Sequence, residues 1–221
     1  ALQIAQRVAF ETHDTDAMNR YLDAALEYNG NSLSDLTSLL FNVKQNLSAE
    51  IAYNLLQKIP QSQRTSGSIS YAEASILLDL NRYPEVFGIL QRIWKADGMT
   101  PEFSQEALHA FLSEFVSKDL DLAPFLPIYK EFLATYPTNF DAQLDLQSLL
   151  YMLDKHSERH AQLVRMTELF PTGHPELWNG LFQDLLSRGA YDELYKYFPQ
   201  ALKQYPHEGS LFLFKSLRSE E

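Results

Sequence analysis

His156 and His160 stand four residues apart, the spacing that brings two imidazoles onto one helix face within reach of a single metal ion. Glu158 lies midway between them and not directly after the first histidine, so the H-E-x-x-H pattern of a zinc hydrolase is not formed. With Lys155 and Arg159 alongside, the segment reads as the solvated start of a helix, and no metal or other cofactor is expected. Three carboxylate pairs, Glu102 with Glu106, Asp141 with Asp145 and Asp119 with Asp121, have the residue types of a general acid and base. That work needs one carboxyl in a dry pocket. All three pairs sit in polar sequence and are expected to be exposed, and Glu102 and Asp141 serve better as stabilisers of positive helix N-termini. Trp94 and Trp178 have the rings to stack on a sugar, but both fall on apolar helix stripes and are expected in the core. Asn46-Leu47-Ser48 matches the glycosylation triplet, and Ser48 reads more simply as a helix N-cap. No catalytic residue is assigned.

The composition closes further routes. No cysteine is present, which removes thiol nucleophiles, disulfides and thiolate metal sites, and no two glycines lie closer than seven residues, which removes glycine-rich phosphate loops. The absence of cysteine suits a bacterial protein and favours the periplasm or cell envelope slightly over the cytoplasm. A net charge of −11 argues against nucleic acid as a partner, because clustered lysine and arginine drive that binding. No apolar run approaches the ~20 residues that span a bilayer, and the first seven residues lack a signal peptide's layout, so no membrane insertion by this segment is expected. A start without methionine marks a processed protein or an excised piece.

The elements that position all these groups are helices. Leucine occurs 36 times against 13 for valine and isoleucine together, a bias toward helix formers. Amphipathic segments are punctuated by Pro60, Pro101, Pro137, Pro171 and Pro206, at separations of 41, 36, 34 and 35 residues, a period typical of stacked helix pairs. The last complete unit is the clearest: Trp178, Leu181, Phe182 and Leu185, then Arg188-Gly189-Ala190, then Leu194, Phe198 and Ala201, closed by Pro206. This unit resembles a tetratricopeptide repeat (TPR), with Trp178, Leu181, Gly189, Phe198, Ala201 and Pro206 where that pattern has them. Phe182 and Leu194 depart from it by placing bulk where small residues are usual, which predicts a wider or rotated crossing.

The resemblance implies an all-α fold: an α-solenoid, a right-handed superhelix of antiparallel helix pairs. It is expected to fill residues 1–221 as one domain, with repeats at about 1–29, 31–60, 66–99, 101–136, 138–171 and 174–206 and a terminal helix at 208–220. Residues 1–12 and 15–28 form the first expected pair, and 61–67 the longest flexible loop. Pro199 inside the last second helix predicts a kink or break near Phe198. Apolar residues at the end mark a window from a longer array, or one closed by a partner or by self-association through the solenoid ends.

The resemblance also implies a non-catalytic scaffold or adaptor that holds a protein or peptide segment against its first helices. Carrying the last unit's register back one unit at a time places Glu176, Asn179, Gln183 and Leu186; Asp141, Leu144, Ser148 and Tyr151; Glu106, His109, Ser113 and Val116; and Ile69, Ala72, Ile76 and Asp79 on that concave groove. None of these is lysine or arginine, which departs from the family groove that grips an acidic peptide end, and cations gather on the second helices instead. A partner carrying basic and aliphatic residues is expected. The alternatives are a helical carbohydrate-binding module or enzyme and a self-associating structural subunit.

Overall fold

The computed structural model describes residues 15–29 and 32–216. The helix expected over 1–12 lies outside these residues, as do Gly30 and Asn31 and the end of the terminal helix from Leu217 onward. The described residues form thirteen α-helices and one 3-10 turn, with a single β-bridge between Ser66 and Asp97 and no strand. In chain order the helices are α1 (Thr15–Asn29), α2 (Leu33–Asn46), α3 (Ala49–Lys58), α4 (Gln61–Arg64), α5 (Gly67–Asp79), α6 (Tyr83–Leu90) and, after a 3-10 turn at Ile93–Lys95, α7 (Pro101–Ser117). They continue as α8 (Phe125–Thr135), α9 (Phe140–Met152), α10 (His156–Leu169), α11 (Glu176–Ser187), α12 (Tyr191–Gln204) and α13 (Gly209–Ser216). The chain divides into two compact units, Ala1–Ile128 and Tyr129–Glu221.

Local chemistry sets where the helices begin. The hydroxyls of Ser32, Ser48 and Thr100 each accept a hydrogen bond from the backbone N–H three residues on, at 3.2 Å, and the Asn139 side chain does the same at 2.9 Å. Each satisfies a donor that the first helical turn leaves open. Ends are set by backbone handedness. Asn81, Asp119, Asp154 and Gly189 all have positive φ, between 53° and 67°, and each lies just past a first helix. Around each, the same two bonds form: the N–H of the left-handed residue donates to the carbonyl three residues back, and the next N–H donates to the carbonyl five back, Leu77, Phe115, Leu150 or Leu185, at 2.9–3.0 Å. Four copies of this Schellman ending, spaced 38, 35 and 35 residues apart, reverse the chain into the second helix. Pro60, Pro137, Pro171 and Pro206 each follow a second helix by two residues, where they bar its continuation.

Packing follows sequence order inside each unit. In the first, α5 packs on α2, α3 and α6, and Leu36, Leu40, Leu55, Leu56, Ile69 and Ile76 share one core. In the second, α10 packs on α9 and α11, and α11 on α12 and α13, around Leu163, Trp178, Leu181, Phe182 and Leu185. The bulk of Phe182 is taken up among the rings of Trp178, Phe198 and Phe214, at 5.9, 5.8 and 5.3 Å.

Two expectations are corrected. Residues 61–67 are not a loose loop: they hold α4, and Arg64 pairs with Glu73 at 3.1 Å while the Gly67 N–H donates to the Asp97 carbonyl at 3.0 Å. A Cβ at Gly67 would collide with the Met99 side chain, so any larger residue here needs that flexible methionine to move aside. Of the kink or break expected near Phe198, the break does not form: α12 runs without interruption from Tyr191 to Gln204 with Pro199 inside it. Pro199 is exposed, and Leu194 and Ala201, buried on either side of it, keep the helix seated on α11.

Candidate functional site

The recurring left-handed residue supplies an internal ruler for the first helices. Positions three, six, ten and thirteen before it are Val116, Ser113, His109 and Glu106 on α7; Tyr151, Ser148, Leu144 and Asp141 on α9; and Leu186, Gln183, Asn179 and Glu176 on α11. On α5 the same ruler gives Leu78, Ser75, Tyr71 and Ser68. The expected α5 set of Ile69, Ala72, Ile76 and Asp79 is therefore one residue out of phase. One residue turns a helix by about 100°, enough to exchange a solvent face for a core face, and Ile76 is 0% exposed inside the first unit's core. It is not available to a ligand. The slip arises in the unit whose prolines are 41 residues apart, where α4 and the 3-10 turn add length that the other units lack.

In the first unit, Asp79 is exposed but already neutralised, its carboxylate 2.8 Å from Lys44 Nζ and 3.8 Å from Lys118 Nζ. Lys44 of α2 and Lys118 after α7, two cations outside the second helices where the others were expected to gather, share this face. Beside them runs an aromatic row that the residue pattern alone did not reveal. Tyr71 lies 6.0 Å from Phe41, 6.1 Å from Phe103 and 5.5 Å from Phe111, and Lys44 Nζ stands 5.9 Å over the Phe41 ring. Burial, reinforced by the Glu114 carboxylate, raises the Tyr71 hydroxyl above its ordinary pKa, so it stays neutral. Glu106 and His109 are exposed on α7.

In the second unit, Asp141 is exposed in the first turn of α9, Leu144 is half-buried, and Tyr151 is 59% exposed with the Arg159 guanidinium 4.9 Å over its ring. On α11, Gln183 is exposed, Asn179 exchanges hydrogen bonds with Ser210 at 2.8 and 3.1 Å, and Glu176 meets His174 Nδ1 at 2.9 Å. Asp141, Leu144 and Tyr151 thus share one strip of α9, and Glu176, Asn179 and Gln183 one strip of α11.

The remaining candidate groups resolve into structure. Asp145 is buried, not exposed, and accepts from the Tyr129 hydroxyl at 3.0 Å; burial and then that carboxylate push the Tyr129 pKa far above its usual value. Trp94 and Trp178 are both buried. His160 turns one ring nitrogen to Asp184, at 3.0 Å, and the other to Glu193, at 3.5 Å. Asp184 also meets Arg159 at 3.3 Å and Arg188 at 3.1 Å. Its place on the apolar stripe with Leu177, Leu181 and Leu185 was the signal that it is buried. Among the described residues no group of three or more His, Asp or Glu side chains is placed to hold a metal, and no helix is long and apolar enough to cross a membrane.

No protein-family model matches the chain, and no curated protein matches it. Solved structures with a similar fold include YrrB, described as a TPR protein with an unusual peptide-binding site, at 14% identity over 88% of this chain and 97% of that one, with a TM-score of 0.47. Pseudomonas aeruginosa pilF is similar at 14% identity over 97% of this chain and 95% of that one, TM-score 0.46. A tetratricopeptide repeat protein from Parabacteroides merdae ATCC 43184 is similar at 13% identity over 97% and 82%, TM-score 0.44. With its successive helix pairs and recurring left-handed turn, the chain is similar in fold to tetratricopeptide-repeat proteins.

Proposed function

We propose that the chain is a non-catalytic protein-binding scaffold whose first-helix strips hold an extended or helical segment of a protein partner. The observation that carries this reading is the α9 strip, where the exposed Asp141 carboxylate, with no partner among the described residues, lies on one face with half-buried Leu144 and exposed Tyr151. A carboxylate that is not neutralised internally beside apolar surface suits a partner residue of opposite charge next to an aliphatic anchor. Glu106 of α7 offers a second such carboxylate in its own unit. Asp79 does not belong to this set, since Lys44 and Lys118 occupy it.

The test is binding of capped peptides that alternate leucine with lysine to the wild type and to an Asp141→Lys, Glu106→Lys double variant. Affinity should fall about tenfold or more in the variant and weaken from low to physiological salt in the wild type. A peptide bound no better than its uncharged counterpart, or bound equally by the variant, overturns the reading.

A further inference from the structure

A second site lies on the other set of helices. Between α8 and α10 in the second unit is a cleft of about 470 Å³. Its floor is Leu133, Leu146 and Leu150, all buried, and its walls include Ala134 and Ala161, two exposed alanines whose small side chains leave the space open. The rim is charged. Lys130 bonds Glu158 at 2.7 Å, and Lys155 bonds the same carboxylate at 3.0 Å, which holds Glu158 below the usual carboxylate pKa and leaves it committed to those two lysines. Arg165, exposed at the cleft edge, has no hydrogen-bond or ion-pair partner among the described residues. The cleft therefore presents an apolar floor under a net positive rim, on a chain whose overall charge is −11.

We propose that this cleft is a docking site for a segment of a protein partner that inserts an aliphatic side chain between Ala134 and Ala161 and sets a carboxylate against Arg165. The occupant follows from charge complementarity. A basic segment would meet Arg165 and Lys130 as like charges, whereas an acidic one gains Arg165 as a planar donor of paired hydrogen bonds. The apolar floor of Leu133, Leu146 and Leu150 gives the aliphatic side chain its burial. The preference is the opposite of that proposed for the first-helix strips, and it does not depend on them.

The probes are capped peptides that alternate leucine with glutamate, and the same peptides with serine in place of leucine, measured by fluorescence anisotropy. The leucine–glutamate peptide should bind the wild type, lose about tenfold or more in affinity with Arg165→Glu, and lose comparably with Ala161→Trp, which fills the cleft. Ala134→Trp fills the opposite wall and replaces Ala161→Trp if circular dichroism shows that variant unfolded. An Asp141→Asn, Glu106→Gln double variant, which removes the first-helix charges without reversing them, should leave this binding unchanged, so failure here and failure of the first-helix reading are separable. No measurable binding, binding unaltered by Arg165→Glu, or equal binding of the serine peptide overturns the proposal.

Discussion

Asp184 ties α10 to the end of α11 through one carboxylate that meets Arg159, His160 and Arg188, and replacing it tests how much of the second unit rests on that group. Its side chain is 2% exposed, against 17% for Arg159, 18% for His160 and 33% for Arg188. In Asp184→Leu the size is roughly kept while the negative charge is lost, leaving two guanidiniums and an imidazole crowded together. Removing one member of a buried ion pair costs about 3–5 kcal/mol. Arg188 is exposed enough to turn into water, which sets the expectation at the lower end, about 3 kcal/mol. Asp184→Asn keeps an oxygen acceptor and loses only the charge assistance, so about 1.5 kcal/mol is expected. Urea denaturation at neutral pH reads both, with an unchanged slope showing that the midpoint shift reports stability. An Asp184→Leu loss below about 1 kcal/mol would mean that the two guanidiniums and the imidazole are solvated without the carboxylate, and the reasoning would fail.

Trp178→Ala should cost about 3–5 kcal/mol, because the ring is 1% exposed and its N–H donates to Gln204 at 2.8 Å; a loss under about 1 kcal/mol in the same assay would refute its core role. Asp154→Gly should stabilise by about 0.5 kcal/mol, the left-handed penalty of an L-residue less the entropy glycine adds to the unfolded chain. Asp154→Val should instead destabilise by about 1–2 kcal/mol, and equal stability of the two variants would show that φ is not what this position selects.

Much of the architecture was legible because it is periodic. Pro60, Pro137, Pro171 and Pro206 marked the ends of second helices, while Pro101 opens the first helix α7, and the apolar pattern located Trp94 and Trp178 in the core. What was not legible depends on phase or on distant partners. Ile76 and Asp79 look equivalent to Gln183 and Leu186 only if α5 is set 37 residues before α7, as Glu106 and Ile69 are, whereas the left-handed residues Asn81 and Asp119 set the two helices 38 apart. The pairing of Asp79 with Lys44 joins residues 35 apart, and that of Asp145 with Tyr129 joins a helix to its predecessor. Polar sequence around Asp145 suggested water, yet its own side chain lies on the inner face. Asp184 differs: its apolar position signalled burial, but its partners Arg159 and His160 lie on the preceding helix, about 25 residues away, and could not be read from that position.

The four left-handed turns carry one more consequence. Asparagine, aspartate and glycine all occupy the same place in them, so a single backbone instruction is written with three different letters. Residue identity at the turn is free to drift among these while the phase of every helix is retained. A β-branched residue has no such licence: it would remove the stop, let the first helix run on, and rotate the second helix by about 100° for each residue gained. The fold's tolerance is therefore directional, wide for side-chain chemistry at the turn and narrow for its handedness, and repeats of this kind can diverge far in sequence without losing their common frame.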